Sequence, residues 1–597
     1  MTTTPTGTAA GTWQSHHLFL HAGTEDTDRF LTADAAPLLD ALVASGEAAD
    51  WFFIRYGQDG PHVRIRVRAT GTASGGAPSR LTELPGLLER AARRVPAVPG
   101  PWPSRHGEVR AVPYAPETLR YGGPRALPVA EAVFGASTRT ALDALRALPA
   151  ENASAARLTA AADLAHTTAY ALGMDRLAGA RWLRAHAAGW RWVTEVPLLP
   201  GAAVHTRVNT VHAAQRTVLG ERAAGLRDRL RARTAAAWLV RWADRVREAD
   251  ALLDGLDGPA RDSVWGSQLH MLLNRLGVNP DEERAVCRLA ARTLLETGEP
   301  GGFFPPGHAA PDVQYLERSK FQIGRGEDSA LRPLPGPATT AAEPASTAAR
   351  PAAEPASTAA RPAAEPAAIR PAAVDVPLPE GPLPEVSLGD ALRARASLRG
   401  ALTGPLDEGT LGTLLWNSLA GSGRAGHGLS EGPARGPAPR PYPSAGALYT
   451  ARVRLLVLDV AGLPAGTYDC VPERRALRRV GPAAPVEDIA ALSTYLSRPP
   501  SDPDWIGVAQ APVVLALYVE LGLLRRRYGL RALRLGLLET GHLAQTLLLT
   551  ASALGLAGTP LGGFHDDLAH ELLGLRDPDQ PLQYLLPLGR RPDRDDG

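Results

Sequence analysis

The sequence predicts an α+β protein of two domains, and three observations support this interpretation. Its 597 residues exceed what a single hydrophobic core accommodates. A Pro/Ala-rich tract interrupts the chain, with "AEPASTAARPA" at 342–352 repeated unchanged at 353–363, and such a composition cannot bury a core. The parts on either side of it both mix strand and helix patterns. We therefore predict domains at 1–312 and 381–597, joined by a semi-extended linker at 313–380.

The composition excludes several classes of function. A formal net charge of +2 gives no reason to expect binding to nucleic acid or to a membrane. Lys320 is the only lysine, so the chain has no Gly-Lys-Ser/Thr phosphate loop and one candidate for a Schiff base. Cys287 and Cys470 are far apart and support neither a disulfide framework nor a thiolate zinc cluster, and we expect no bound metal. The N-terminus lacks the pattern of a signal peptide, so we expect a cytoplasmic protein.

The strand predicted at "HVRIRVR" has the first candidate functional pattern. This segment and "WFFIRY" flank Gly57–Gly60, which predicts a β-hairpin. Strict alternation places apolar residues on one face of the strand and basic residues on the other. The apolar face contains Val63, Ile65 and Val67, and the basic face contains His62, Arg64, Arg66 and Arg68. Aligned arginines repel one another, so we expect either a solvated face or an anion lying against them.

Two later segments add acidic, basic and imidazole groups. In "YAPETLRYGGP", Glu117 and Arg120 are spaced to pair if the segment is helical. Alanine, leucine and arginine recur at helical spacing from about 128 to 250, which predicts several helices. A further predicted helix, "SVWGSQLHMLLNRLGV", places His270 and Asn274 one turn apart on one face. Taken alone, each pattern also has an ordinary structural interpretation.

Together these segments resemble the small glutamate-elimination domain of the LanB-type lantibiotic dehydratases, which also occurs as a separate protein in thiopeptide biosynthesis. The matching pieces are "WFFIRY…PHVRIRVR", "ETLRYGG" and "LHMLLNR", in the family's order. The resemblance implies that a glutamylated serine of a ribosomally made precursor peptide undergoes β-elimination to dehydroalanine. The residues implied for this site are Arg64, Arg66, Glu117, Arg120 and His270.

The chemistry of elimination suits these residue types. Arginines offer bidentate donors to carboxylate and enolate oxygens, and a histidine can transfer a proton near neutral pH. Which proton His270 would move stays open. Glu117 fits a role in orienting Arg120, because a carboxylate beside arginines is a poor base. No metal or organic cofactor is required. Two alternatives are closure of a pyridine ring, as in related thiopeptide domains, and non-catalytic peptide binding; the presence of the elimination residues favours elimination over ring closure.

The C-terminal part combines predicted strands, "VRLLVLDV" and "APVVLALYVE", with the helix "LLETGHLAQTLLLTASALGL". Before them, "RASLRGALTG" has two arginines and a serine at alternating positions, a credible clamp for a monophosphate. A further arginine follows the apolar run in "LLPLGRRPD". The segments "RPYPSAGALY" and "GLAGTPLGGF" consist of small residues that leave room for a planar ring against the backbone.

This set resembles the nitroreductase-like flavin oxidoreductases, most of all the SagB-type azoline dehydrogenases, from about residue 390 onwards. The resemblance implies FMN and oxidation of thiazolines or oxazolines to thiazoles or oxazoles. The residues implied for the phosphate are Arg395, Ser397, Arg399 and Arg590. The residues implied for the flavin ring are Ser444, Ala445, Gly446, Pro560, Leu561 and Gly562. A general nitro- or quinone-reductase is the alternative.

The residue that would deprotonate the azoline is open. Members of the family often place a basic residue and a tyrosine just ahead of the helix, where this chain has Arg534 and Leu535. Tyr528 lies nearby in sequence and is a second candidate. On the helix itself, Glu539, His542 and Gln545 are equally explained by packing and capping.

The two halves together resemble bifunctional enzymes of lactazole-type thiopeptide biosynthesis. That resemblance implies an azoline-containing, glutamylated precursor peptide as substrate. It also implies a homodimer formed through the flavin domain, and contact with the cyclodehydratase and glutamylating enzymes that prepare the peptide. A linker at 313–380 would raise the local concentration of one site near a peptide held by the other.

Overall fold

The computed structural model describes residues 12–70, 80–149, 151–193, 196–253, 255–295, 311–320, 375–421, 439–575 and 577–590. The chain divides into two compact units, most of the first lying before Thr297 and most of the second after Gly298. The repeats at 342–363, on which the predicted linker depends, lie outside the described residues.

The first unit begins with strands and continues with helices. Its elements are β1 (Trp13–Phe19), α1 (Thr24–Arg29), a π-helical turn (Phe30–Ala35), α2 (Ala36–Ala44), β2 (Ala48–Tyr56), β3 (His62–Ala69), α3 (Arg80–Ala92), β4 (Val109–Ala111), α4 (Leu127–Arg146), α5 (Ala153–Ala171), α6 (Arg176–Gly189), a 3-10 turn (Trp190–Trp192), α7 (Gly201–Arg231), α8 (Ala237–Ala251), α9 (Gly258–Leu276) and α10 (Pro280–Leu295).

The strands of this unit form an antiparallel sheet in the order β2-β3-β1-β4. The predicted hairpin is confirmed, because β2 pairs directly with β3. Asp59 and Gly60 turn the chain with φ values of 61° and 115°. These values lie in the left-handed region, which Gly and Asp adopt more readily than most residues.

Both faces of the sheet are covered, as the alternation along β2 shows. Trp51 and Phe53 are buried in one core cluster, whereas Phe52 and Ile54 are buried in another. The predicted apolar face of β3 lies in the first of these clusters, with Ile65 fully buried. The second cluster is formed mainly by helices α4, α5, α6, α8, α9 and α10. The basic face of β3 is therefore turned towards the helical side of the unit.

Helix α9 is defined by clear signals at both ends. The side chain of Asp257 accepts a hydrogen bond from the Ala260 backbone N–H at 2.7 Å, and Pro259 lies in the first turn. The helix ends at Gly277, whose φ of 83° allows a left-handed cap. This helix corresponds to the one predicted around His270.

The second unit mixes strands and helices throughout. Its elements are α11 (Pro311–Arg318), β5 (Asp375–Pro377), α12 (Leu388–Ala394), β6 (Gly400–Ala401), α13 (Glu408–Leu419), a 3-10 turn (Ala445–Ala447), β7 (Ala451–Val457), β8 (Gly466–Val471), a 3-10 turn (Pro472–Arg474), β9 (Ala476–Gly481), α14 (Val486–Ala490), β10 (Ile506–Gly507), β11 (Val513–Val519), α15 (Leu521–Tyr528), a 3-10 turn (Gly529–Arg531), α16 (Ala532–Ala553), β12 (Ala557–Gly558), α17 (Asp566–Leu573) and β13 (Leu582–Gly589).

Seven strands of this unit form one sheet in the order β12-β13-β11-β7-β8-β9-β5. All residues of the central strand β11 are buried. Val513, Leu515 and Leu517 pack with α13 and α16 on one face, and Val514 and Ala516 pack with α14 and α17 on the other. A strand buried on both faces shows a continuous apolar run rather than alternation, which is the pattern of "APVVLALYVE".

The predicted α+β class with two domains is confirmed. The condition of a helix, under which Glu117 and Arg120 were predicted to pair, is not met, because residues 118–126 form turns and a bend. Glu117 and Arg120 nevertheless pair across those turns, at 3.1 Å. No helix among the described residues has the length and apolar character needed to cross a membrane.

Candidate active sites

The first candidate site begins on the basic face of β3. The guanidinium of Arg64 lies 3.4 Å from the centre of the Tyr56 ring. The guanidinium of Arg66 lies 4.8 Å from the centre of the Tyr114 ring and 5.4 Å from that of Phe52. The faces of aromatic rings attract cations, so these rings help to hold like-charged side chains next to one another on the strand.

Two histidines beside these arginines are uncharged at neutral pH. His17 lies opposite Arg64 in the antiparallel register and stacks on His62 at 5.1 Å. Burial, followed by the charge of Arg64, lowers the pKa of His17 to about 3. Burial is also the main cause that lowers the pKa of His62 to about 4. The arginines therefore supply the positive charge of this surface.

Helix α9 connects the remaining residues predicted for this site. Ser267 accepts a hydrogen bond from the Arg120 Nε at 3.2 Å. The Asn274 side chain binds both the backbone N–H and the backbone C=O of Arg55, at 2.9 and 3.0 Å. Ser267, His270 and Asn274 follow a spacing that places them on one face of the helix. Asn274 thus fixes the end of β2 next to α9, and Tyr56, the next residue of that strand, has the Arg64 guanidinium over its ring. Because Arg120 binds Ser267 of the same helix, Arg64 and Arg120 both lie near the stretch of α9 that contains His270.

Glu117, three residues before Arg120, also holds the Arg120 side chain. Its guanidinium donates to the Glu117 carboxylate at 3.1 Å, with the arginine side chain 8% exposed and the glutamate 46% exposed. This geometry agrees with a role for Glu117 in orienting Arg120.

A buried carboxylate lies behind His270. Glu283 on α10 is fully buried. Its Oε2 binds the Nδ1 of His270 at 2.8 Å, and its Oε1 binds the Nε2 of His186 at 2.7 Å. The indole N–H of Trp190 donates to the same Oε1 at 3.2 Å. Burial opposes ionisation, but the charges and hydrogen bonds of His270 and His186 outweigh it and hold the pKa of Glu283 well below its usual range.

The second candidate site gathers three segments of the second unit. Arg395 ends α12, and Ser397 forms a bridge with Gly558 just after β12 begins. The backbone of Arg590 exchanges hydrogen bonds with Thr403, at 2.7 and 2.9 Å. Within the described residues, the Arg395 side chain has no hydrogen bond or ion pair. Arg399, also on this segment, has a long 3.4 Å contact to an exposed aspartate, Asp504, and its guanidinium lies 5.8 Å from the centre of the Tyr495 ring.

The segment 560–563 lies next to these donors. Leu561 forms a two-way backbone bridge with Leu585 of β13. A Cβ added at Gly562 would meet only the Tyr584 ring at 3.9 Å, and one added at Gly563 would meet nothing within 4 Å. Among the described residues, the backbone at Gly562 and Gly563 is therefore exposed and open, whereas Pro560 is half-buried and the Leu561 side chain is buried in the core.

The segment containing Ser444, Ala445 and Gly446 is held by Glu539 of α16, which is 1% exposed. The carboxylate of Glu539 accepts hydrogen bonds from the Ser444 hydroxyl at 2.7 Å, from the Thr450 hydroxyl at 3.2 Å and from the Ala451 N–H at 2.8 Å. Three donors satisfy the buried charge, as burial of a carboxylate requires. Glu539 thus has a specific part in forming this turn.

The two candidate bases of the second site have different surroundings. A Cβ at Gly446 would lie 2.5 Å from the Tyr528 hydroxyl, so Tyr528 is directly at this turn. Gly446 also has a φ of 60°, which by itself favours glycine. Arg534 is held instead by the segment that follows α11. Its guanidinium donates to the Ser319 hydroxyl at 3.3 Å, and its backbone N–H donates to the Tyr315 hydroxyl at 3.1 Å.

Comparison with known proteins assigns both units. Residues 392–590 match the nitroreductase family, and residues 13–294 match the lantibiotic biosynthesis dehydratase C-terminal family. The nitroreductase-family protein MJ1384 of Methanocaldococcus jannaschii is 30% identical over 218 residues, which are 36% of this chain and 97% of that protein. The chain belongs to the nitroreductase family.

Two further relatives come from peptide biosynthesis. The microcin B17-processing protein McbC of Escherichia coli is 32% identical over 140 residues, 23% of this chain and 48% of McbC, so the chain spans about half of that protein. The structure of the pyridine synthase TbtD from thiomuracin biosynthesis is 23% identical with a TM-score of 0.35. It covers 47% of this chain and 97% of TbtD. A likeness at that score supports no argument about function.

Membership of the nitroreductase family supports an oxidoreductase that uses a flavin, and the donors of the nitroreductase unit fit one. Three guanidiniums and a hydroxyl suit a phosphate, and the exposed backbone at Gly562 and Gly563 leaves room for a flat ring. The structure does not bring the other predicted ring segment, 444–446, to these donors. Strand β11 pairs with β13 on one side and with β7 on the other. Arg590 follows β13 and lies beyond the Val513 end of β11. Residue 450 precedes β7 and lies beyond the Val519 end. The strand between them is about 20 Å long.

Three functional candidates were not predicted from the sequence. Glu283 and His186 were missed because Glu283 lies in "PDEER", where any acidic residue is explained by the start of a helix. His186 lies in an alanine-rich helix with no periodic signal. Ser319 lies in the predicted linker, where no contact was expected. In each case the partner is distant in sequence, so no local pattern could reveal it.

Proposed function

We propose that this chain is a bifunctional enzyme that matures ribosomally made peptides. The N-terminal unit eliminates glutamate from glutamylated serine to give dehydroalanine. The nitroreductase unit oxidises thiazolines or oxazolines to thiazoles or oxazoles with FMN. The same pair of activities, in the same order, characterises the lactazole-type thiopeptide enzyme LazF, which the sequence resembles. The observation that carries the proposal is the presence, in one chain, of the arginine–histidine arrangement around α9 and the phosphate-type donor set beside residues 560–563.

In the N-terminal unit, the arginines bind the charged groups of the substrate. Arg64 and Arg66 would bind the one free carboxylate of the esterified glutamyl group, and Arg120 is oriented by Glu117 and Ser267. A guanidinium stabilises a developing enolate through paired N–H donors. His270 moves the proton, since a histidine can exchange one near neutral pH. The reaction needs no cofactor.

In the nitroreductase unit, Arg395, Ser397, Arg399 and Arg590 would hold the FMN phosphate, and Pro560, Leu561 and Gly562 would lie against the ring. Bound FMN supplies the two-electron acceptor for azoline oxidation. The phenolic oxygen of Tyr528 is the better placed acceptor for the azoline α-proton, because it lies at the turn of Gly446. The Arg534 guanidinium is already engaged with Ser319.

We further propose that the nitroreductase unit works as a homodimer. The phosphate-type donors and the ring segment 444–446 lie at opposite ends of β11 in one chain, so a second copy is needed to bring both to the same flavin. Among the described residues, the unit also exposes leucines on two helices that pack together, α12 and α16. Leu388, Leu392 and Leu538 there are 70%, 52% and 60% exposed. Exposed apolar patches of this kind mark protein interfaces.

The decisive experiment uses mass spectrometry of a precursor peptide that carries both thiazolines and glutamylated serines. The purified protein, with FMN and air, should remove two hydrogens per azoline and release free glutamate. His270→Ala should abolish only the glutamate release, and Arg395→Ala only the loss of hydrogen. The enzymes that form the azolines and attach the glutamate are the expected partners.

Three alternatives predict other results. If the N-terminal unit only binds the peptide, hydrogen is lost while the glutamyl esters remain. If that unit closes a pyridine ring, the product is a macrocycle that has lost its leader segment. If the nitroreductase unit is a general nitro- or quinone-reductase, the protein oxidises NAD(P)H rapidly and leaves azolines unchanged.

A further inference from the structure

The group behind His270 is a buried hydrogen-bonded triad of His270, Glu283 and His186. All three side chains are at most 8% exposed. The N···O distances of 2.7 and 2.8 Å are those of charge-assisted hydrogen bonds, and they leave no space for a cation between the groups. Burial of a carboxylate is costly unless hydrogen-bond donors satisfy it. Here three donors do so, namely the two imidazoles and the indole N–H of Trp190. Glu283 is not among the site residues predicted from the sequence, so its role has to be argued from these contacts.

The hydrogen bond to Glu283 determines which nitrogen of His270 faces outward. The carboxylate of Glu283 only accepts hydrogen bonds, and its Oε1 already accepts from the indole N–H of Trp190, which can only donate. The Nδ1 of His270 must therefore have the proton. Within the described part of the chain, the Nε2 of His270 has no hydrogen-bond partner. The ring of Trp190 lies edge-on against the imidazole at 5.1 Å and restricts its rotation.

We infer that Glu283 is a positioning residue that keeps the proton of His270 on Nδ1 and leaves Nε2 unprotonated, so that His270 is the base of the elimination. This inference rests on the proposed function of the N-terminal unit. Nε2 accepts the α-proton of the glutamylated serine, and the electrons of the Cα–H bond form the Cα=Cβ bond. The Cβ–O bond breaks, and its electrons leave with the glutamate carboxylate. The carboxylate of Glu283 stabilises the imidazolium until its proton passes to water.

Substitution of Glu283 by glutamine offers a sharp test because the geometry dictates how the amide would turn. The indole N–H of Trp190 can only donate, so the amide oxygen should stay on the side of Trp190 and His186. The amide NH₂ would then face His270 and donate to its Nδ1. The proton of His270 would move to Nε2, and the base would be lost while the shape of the site is kept.

The experiment measures glutamate release from a synthetic peptide with a serine esterified by glutamate, using the full-length protein. Glu283→Gln should lower kcat at least about 100-fold with KM within about threefold, because the tautomer changes and the binding arginines do not. Glu282→Gln is the matched control: it makes the same change one residue earlier on α10, where the Glu282 carboxylate accepts from the Asn279 backbone N–H at 3.0 Å rather than facing His270. Its kcat should stay within about threefold. The unfolding transition of the N-terminal unit, followed by tryptophan fluorescence, reports whether each variant is folded.

A second measurement keeps the inference testable if Glu283→Gln does not fold. The wild-type protein labelled with ¹⁵N-histidine should show His270 as the Nδ1–H tautomer by NMR, assigned through the loss of its signals in His270→Asn. An Nε2–H tautomer would overturn the inference. So would a Glu283→Gln protein that eliminates at the wild-type rate while His270→Ala is inactive, a result that leaves the proposed elimination intact. If the wild-type protein releases no glutamate, the proposed function itself fails.

Discussion

The two candidate sites differ in where their parts lie along the chain. The N-terminal site gathers around α9, and its histidine is backed by the fully buried Glu283 of the same unit. The site of the nitroreductase unit is divided, with donors at one end of the β11 strand and the turn at 444–446 at the other. The proposed elimination site therefore lies within one copy, whereas the proposed homodimer would complete the flavin site. The two activities should respond differently to dilution and to surface substitutions.

The largest expected effect separates the two activities. Arg395→Ala should weaken FMN binding by about 10- to 100-fold, since it removes a charge-assisted contact to the phosphate, and elimination should not change. Arg393→Ala is the matched control, because Arg393 lies on the same helix but pairs with Asp390. Flavin titration by fluorescence measures both. Equal affinity in the two variants would show that the phosphate binds elsewhere.

The second effect tests the need for a partner. Leu388→Glu combined with Leu392→Glu places charges on the apolar face of α12, where both leucines are more than half exposed. Dimers should dissociate, and azoline oxidation should fall at least about tenfold at low protein concentration. Leu252→Glu is the control, since Leu252 is 69% exposed in the first unit. Light scattering gives the mass in each case. A monomer with full oxidase activity would contradict the divided site.

The third effect concerns the carboxylate that forms the turn at Ser444. Glu539→Gln replaces an acceptor of three hydrogen bonds by a group that can accept at only one atom. The free energy of unfolding of the nitroreductase unit should fall by about 2 kcal/mol. Azoline oxidation should fall with it, and elimination should persist. Chemical denaturation followed by flavin fluorescence measures the change; an unchanged midpoint would show that the hydrogen bonds contribute little.

The sequence predicted most of this architecture but only part of each site. The alternation in "HVRIRVR" and the apolar run in "APVVLALYVE" predicted their strands because burial imposes a local period. Arg64 and His270 were identified through motifs. What the sequence could not show were contacts between distant segments, such as Glu283 with His270 or Glu539 with Ser444, since these depend on packing. It also could not show that residues 444–446 and Arg590 lie at opposite ends of β11 in one chain.

The smallest effect is a pH dependence confined to the N-terminal site. The folded state keeps the pKa of His17 at about 3, whereas the usual value is 6.5. Between these values the unfolded chain binds a proton that the folded chain does not. Stability is therefore fully present above pH 6.5 and is lost as the pH falls through this window. His17→Gln removes the titrating group, so its melting temperature should fall less steeply with acidification than that of the wild type.

Calorimetry of both proteins between about pH 7.5 and about pH 5 measures this difference in slope. The comparison isolates His17, since every other titrating group is present in both proteins. A smaller slope in the variant would show that burial and the charge of Arg64 keep the imidazole neutral. Parallel slopes would mean that His17 is protonated in the folded state. The basic surface would then include a histidine cation beside its arginines, and substrate binding there should strengthen as the pH falls.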